Sequence, residues 1–140
     1  MPPQLKLGFL LLLVGCAAHR GQSSSVAPLQ TSCAGNPSTD STVFDTTQVS
    51  EKPRALSGPP IHYPDDLRRR HITGGALLTV VIGPDGVPEI PSITLIHSDH
   101  PDFAALGRYW IERATYAPGC REGRAVRVLV AVPIDFKIRR

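Results

Sequence analysis

From Val126 to Ile138 every second residue is apolar: Val126, Val128, Val130, Val132, Ile134, Phe136 and Ile138. Between them stand Arg127, Leu129, Ala131, Pro133, Asp135 and Lys137. A period of two matches the alternation of side chains across a pleated strand, so one long strand with a single buried face is expected here. Such a strand needs neighbours for its backbone groups and a layer over its apolar face.

The preceding residues supply both. Ala76, Leu78, Val80 and Ile82 alternate with Leu77, Thr79 and Val81, which predicts a strand opened by Gly74-Gly75. Pro84-Asp85-Gly86 is a hairpin-turn signal, because Gly accepts positive φ. A second strand is expected over Val87 to His97, ragged around Pro88 and Pro91, which cannot donate to a ladder, and firm at Ile93-Thr94-Leu95-Ile96. Two helices complete the pattern. Pro64 to His71 has Pro in front, acids next and bases last, in keeping with the helix dipole; Tyr63, Leu67 and Ile72 supply its buried side. Pro101 to Ala114 carries a stripe of Phe103, Leu106, Trp110, Ile111 and Ala114, with Gly107 where close packing on a sheet is needed. The expected fold is α+β, in the order αββαβ: a three-stranded antiparallel sheet with two helices packed on one face.

The N-terminal part has a different character. Lys6 precedes the apolar run Leu7 to Gly15, which has the charge and length of a secretory signal peptide and is too short to span a bilayer. Leu13-Val14-Gly15-Cys16 resembles the lipobox of bacterial lipoproteins, in which the cysteine is acylated; the bland alternative is a buried helix ending at a Cys. The chain is therefore divided into a signal peptide (1–15), a lipidated Cys16 with a flexible Ser/Thr/Pro-rich tether (16–58) and a folded domain (59–140). Residues 17–58 contain 13 Ser or Thr and one aromatic residue, Phe44, too little apolar surface to offset ordering entropy. As a coil they would span ~35–40 Å on average. Ala17, rather than Asp, after Cys16 looks like outer-membrane sorting, with the domain in the periplasm.

Two thiols remain, Cys33 and Cys120, separated by 87 residues. In an oxidising envelope they form a disulfide; in a chain that never oxidises they stay free thiols.

Other chemistry finds little purchase. Residues 57–140 carry 11 basic and 9 acidic side chains with signs interspersed, which does not make a nucleic-acid face. The run Arg68-Arg69-Arg70 reads as a solvated helix end rather than a phosphate site. His97-Ser98-Asp99-His100 holds the residue types of a triad or metal cluster, but neighbours in a turn rarely converge; Ser98 or Asp99 is expected to cap the helix that follows. No metal site, cofactor or catalytic residue is expected.

Pro60-Ile61-His62-Tyr63-Pro64, Gly74, Pro84-Asp85-Gly86, Ser98, Tyr116-Ala117-Pro118, Gly123 and Val132-Pro133-Ile134-Asp135-Phe136 together resemble the C-terminal domain of the TonB family, over about residues 59–138. The resemblance implies an α+β fold that binds short peptides of outer-membrane transporters by adding a strand to its sheet edge. It places the receiving edge at Arg127, Val128, Leu129, Val130 and Ala131. The family's small-residue pair is Leu106-Gly107 here, and its Trp before the aromatic is Ala114, with Trp110 one turn earlier. Energy-transducing members have an inner-membrane helix; this chain has the lipobox instead. The implied function is a lipid-anchored binding domain associated with TonB-type transmembrane transport. Its partners are a protein segment, such as that of an outer-membrane receptor, and the membrane through the lipid. A homodimer is the competing use of the same edge. The alternative reading is a structural envelope lipoprotein that contacts peptidoglycan or an assembly partner.

Overall fold

The computed structural model describes Cys33 and residues 35–138. The signal peptide, Cys16 and the first part of the expected tether lie outside the described residues.

In chain order the elements are β1 (Val43–Asp45), β2 (Arg54–Ser57), α1 (Asp65–Arg69), β3 (Gly74–Ile82), a 3-10 turn (Ile90–Ser92), β4 (Thr94–Ser98), α2 (Pro101–Arg113), β5 (Thr115–Ala117), β6 (Gly119–Arg121) and β7 (Arg124–Phe136). The main sheet has the order β1-β7-β3-β4, with β6 also paired to β7; β2 and β5 form a separate antiparallel ribbon.

β3 and β7 form the spine, in antiparallel register from Gly74↔Phe136 to Ile82↔Val128. Their inward side chains, Ala76, Leu78, Val80 and Ile82 against Val126, Val128, Val130 and Phe136, are buried beneath α2. Phe103 of α2 stacks on Phe136 with ring centroids 4.3 Å apart, and Tyr63 meets both rings edge-on. Gly107 is where α2 comes closest: a Cβ there would sit 2.8 Å from Leu78 Cδ1. α1 buries Leu67, and the chain leaves it through His71 at φ 55, with Ile72 N–H bonded to Leu67 O.

The α+β class stands, but the sheet is larger than the three strands expected. The first correction concerns the tether. Residues 36–57 are packed against the domain, because Phe44 and Val49 lie on the core and the backbone of 36–45 takes up hydrogen-bonding groups that β7 would otherwise leave unpaired. Beyond β1 the chain bridges at Glu51↔Cys120 and enters β2. The second correction concerns the ragged strand. Val87 to Ile93 makes one bridge, Ile82↔Pro88, and then the 3-10 turn; the strand itself is Thr94–Ser98. Pro88 and Pro91 are the physical reason, since neither can donate to a ladder.

Candidate functional site

The outer margin of β7 is built in three stretches. Ala125 donates its N–H to Asn36 O at 3.0 Å and accepts from Ser38 N–H at 2.8 Å. Odd-numbered residues of β7 therefore aim their backbone groups outward, while the even-numbered ones face β3 and β6. β1 covers the next stretch, running parallel to β7 with Val43↔Arg127, Phe44↔Val128 and Asp45↔Leu129. It stops at Asp45, whose carboxylate accepts from Thr47 N–H at 2.9 Å and turns the chain away. Beyond it, no hydrogen bond among the described residues reaches the N–H or C=O of Ala131, the C=O of Pro133, or the N–H or C=O of Asp135.

The edge expected at Arg127, Val128, Leu129, Val130 and Ala131 is thus corrected. Arg127 to Leu129 is already paired with β1, and the open margin begins at Ala131. The reason is a segment too short to show a period in sequence, which occupies the first half of the edge. Pro133 falls at an outward position, where its missing N–H breaks no bond to β3.

A groove of about 550 Å³ runs beside this open stretch. Val130, Val132 and Ile134 form one wall; Ile61, Trp110, Tyr116, Pro53 and Ala55 form the other. Trp110 comes from α2 and meets Tyr116 of β5 edge-on at 6.4 Å. Tyr116 is 6 % exposed, and its hydroxyl is buried without a hydrogen-bond partner among the described residues. Burial pushes its pKa up to about 12. Sequence reading placed Tyr116 in a family motif but missed its place in this wall; its position right after an amphipathic helix was the available signal.

Arg127 sits on the opposite face of β7. Its Nε and Nη2 donate to the two carboxylate oxygens of Glu89, each at 2.6 Å, and its Nη1 donates to Ser41 O just before β1. The hydrogen bond from Arg127 holds the Glu89 carboxyl below the usual range.

The remaining candidates take structural positions. His97 Nε2 lies 3.1 Å from Asp99 Oδ1, and Asp99 Oδ2 accepts from Gly75 N–H at 2.7 Å. Ser98 Oγ donates to His100 O at 2.6 Å. The cap of α2 is His100, whose Nδ1 accepts from Asp102 N–H at 3.2 Å, and not Ser98 or Asp99. Those two are already committed, one to the His100 carbonyl and the other to the start of β3. Arg68, Arg69 and Arg70 are exposed and face Asp65 and Asp66. Cys33 and Cys120 are buried together beside Ala125, with Cα atoms 5.8 Å apart. No group of three His, Cys, Asp or Glu that could hold a metal occurs among the described residues. No helix among them is long and apolar enough to cross a membrane.

The fold and this margin together define an α+β domain whose longest strand, among the described residues, is open on its outer margin along its second half. The family described as Gram-negative bacterial TonB protein C-terminal matches residues 59–138, and the chain belongs to that family. The solution structure of the Pseudomonas aeruginosa TonB C-terminal domain has the same fold, with a TM-score of 0.54 and 21% identity, over 71% of this chain and 98% of that one. No curated protein matches the sequence.

Proposed function

We propose that the domain captures an extended segment of a protein partner by strand addition along Ala131 to Asp135. The observation that carries this reading is the run of outward N–H and C=O groups that have no partner among the described residues, beside an apolar groove. The first supply main-chain hydrogen bonds, and the second accepts alternate side chains. Because β1 fills Arg127 to Leu129, the incoming strand starts where β1 ends. Membership of the TonB family favours a periplasm-facing segment of an outer-membrane transport receptor as the partner.

The sequence signals outside the described residues complete the proposal. Acylation of Cys16 holds the protein on the outer membrane with its domain in the periplasm. Several acyl chains, each contributing ~0.8 kcal/mol per buried methylene, make that anchor effectively permanent. A disulfide between Cys33 and Cys120, supported by a Cα separation of 5.8 Å, ties the start of the packed segment to β6. A lipid anchor offers no membrane span through which a motor could pull, so the protein acts as a binding module rather than an energy transducer.

The test is capture of envelope proteins by cross-linking in intact cells. Wild type is expected to retain a partner that Ala131→Pro and Asp135→Pro both lose while remaining folded, since each removes only an outward donor. Capture that survives both substitutions places the binding surface elsewhere. Mass spectrometry of the membrane fraction is expected to find Cys16 acylated and Cys16→Ser protein released.

A further inference from the structure

The closed and open stretches of the β7 margin are one edge of one strand. Asn36, Ser38 and β1 cover it from Ala125 to Leu129, and among the described residues it is open from Ala131 onward. The part matched to the family begins at residue 59, so the covering segment precedes that domain.

The cover is held lightly at its middle and firmly at its ends. β1 has three residues, and a parallel ladder is slightly weaker per residue than an antiparallel one. Val43 and Asp45 are exposed, so Phe44 alone carries its side chain to the core, with the Arg121 guanidinium 4.6 Å from its ring centroid. The ends converge on a single residue. Cys33 lies with its Cα 5.8 Å from that of Cys120. Ser50 and Glu51 donate their N–H groups to Cys120 O at 2.8 and 3.2 Å, and Cys120 N–H donates to Glu51 O at 2.9 Å. The segment is therefore a loop closed on Cys120. The stretch around β1 can leave β7 without opening β2, β6 or the core, and it stays at hand to return.

We propose that β1 is an exchangeable strap that stands in for a partner's strand: a partner segment long enough to pass Ala131 displaces Val43–Asp45 and takes over the outward groups of Arg127 and Leu129. The inference rests on the strand-addition reading. Once such a segment is docked along Ala131 to Asp135, its next residues are held beside Leu129 and compete with β1 for the same N–H and C=O groups. The main-chain bonds given up by one strand are regained by the other, so side chains decide the exchange. β1 brings only Phe44 to the core, and a partner with an apolar residue at that place replaces it. A segment confined to Ala131–Asp135 leaves the strap where it is. A longer one binds only while the strap is lifted, so its apparent affinity is reduced by the fraction of molecules in which the edge is free.

The experiment selects binders of the full chain, purified in detergent, from a phage-displayed library of random peptides about nine residues long, enough at roughly 3.3 Å per residue to reach from Asp135 to Arg127. Each selected peptide is compared with its five-residue truncations by NMR titration. In wild type the long peptides are expected to move the Val43 and Phe44 side-chain signals to solvent-exposed positions while Leu129 N–H stays protected from exchange. Phe44→Ala is expected to bind the long peptides about tenfold more tightly and the short ones no more tightly. Glu89→Gln loosens the same strap through Arg127 and Ser41 without touching the core, and is expected to act in the same direction. If Phe44→Ala does not fold, Glu89→Gln carries the comparison, and an unchanged affinity there overturns the inference. Equal tightening of long and short peptides also overturns it. Peptides that are lost with Asp135→Pro but leave the Val43 and Phe44 signals in place overturn the inference and leave strand addition standing. No enrichment, or binding indifferent to Asp135→Pro, overturns both.

Discussion

Arg127 grips Glu89 through both carboxylate oxygens at 2.6 Å and, with its third nitrogen, holds the carbonyl of Ser41. One side chain thereby joins the β3–β4 connection, the long strand β7 and the approach to β1. The three-residue strand β1 has few hydrogen bonds of its own, so this clamp helps keep it on the edge of β7.

The clamp makes β1 sensitive to acid. The folded-state pKa of Glu89 is depressed, so its contribution is fully present above the unfolded value near 4.5 and is lost as pH falls through the lower folded value. Asp40 and Asp45, whose carboxyls are lowered by hydrogen bonds from Thr42 and Thr47, act in the same direction. Amide exchange at Leu129, followed from about pH 5 to 3, is expected to lose protection as pH falls. In Glu89→Gln the loss is already present at neutral pH and the acid dependence is shallower. An unchanged profile in Glu89→Gln removes Glu89 from the control of β1.

The cysteine pair gives a second expectation. Closing the separation of 87 residues constrains the unfolded chain, so Cys33→Ser should cost about 2–5 kcal/mol in urea denaturation of oxidised protein. Under strong reductant the wild type is expected to fall to the same midpoint. If reductant leaves the wild type unchanged, the thiols are not bridged.

Gly86 closes the hairpin at φ 77, and a Cβ there would lie 2.1 Å from the carbonyl oxygen of Tyr116. The same residue accepts from Tyr116 N–H at 3.1 Å. Gly86→Ala combines a left-handed backbone penalty of about 1–2 kcal/mol with a clash against main chain. A loss of at least ~2 kcal/mol is expected, together with faster amide exchange at Tyr116. A neutral result would mean that the turn and β5 separate easily.

Gly107 makes the opposing case, in which two effects compete. Ala there adds about 1 kcal/mol of helix propensity but brings a Cβ within 2.8 Å of Leu78 Cδ1 and 3.3 Å of Ile134 Cδ1. The two nearly cancel, so Gly107→Ala should be close to neutral. Gly107→Leu has no room at all and is expected to lose about 2–3 kcal/mol. Urea midpoints of the two variants check the ranking.

Much of this molecule could be read from its residues. The alternation of Val126 to Phe136, the stripe of Phe103, Leu106, Trp110, Ile111 and Ala114, and the turn Pro84-Asp85-Gly86 are local patterns. Each matches the burial or backbone geometry found there. The site was legible only in part. Phe44, the lone aromatic of its segment, and Cys33 were the two signals that residues 36–45 are anchored. Neither says which backbone they meet. His100 takes the helix cap because Ser98 and Asp99 have bonded elsewhere, a competition that only contacts distant in sequence resolve.

The amino-acid order by itself determined the long strand, the two helices, the hairpin and hence the α+β class, because periodicity is a property of neighbouring residues and survives without any knowledge of the third dimension. Tertiary structure alone decided which half of the β7 margin is closed and which stays open. A three-residue strand has no period to display; Val43 to Asp45 becomes a strand only because Arg127 to Leu129 presents unpaired groups to it. Where that pairing ends, at the turn after Asp45, the open margin begins.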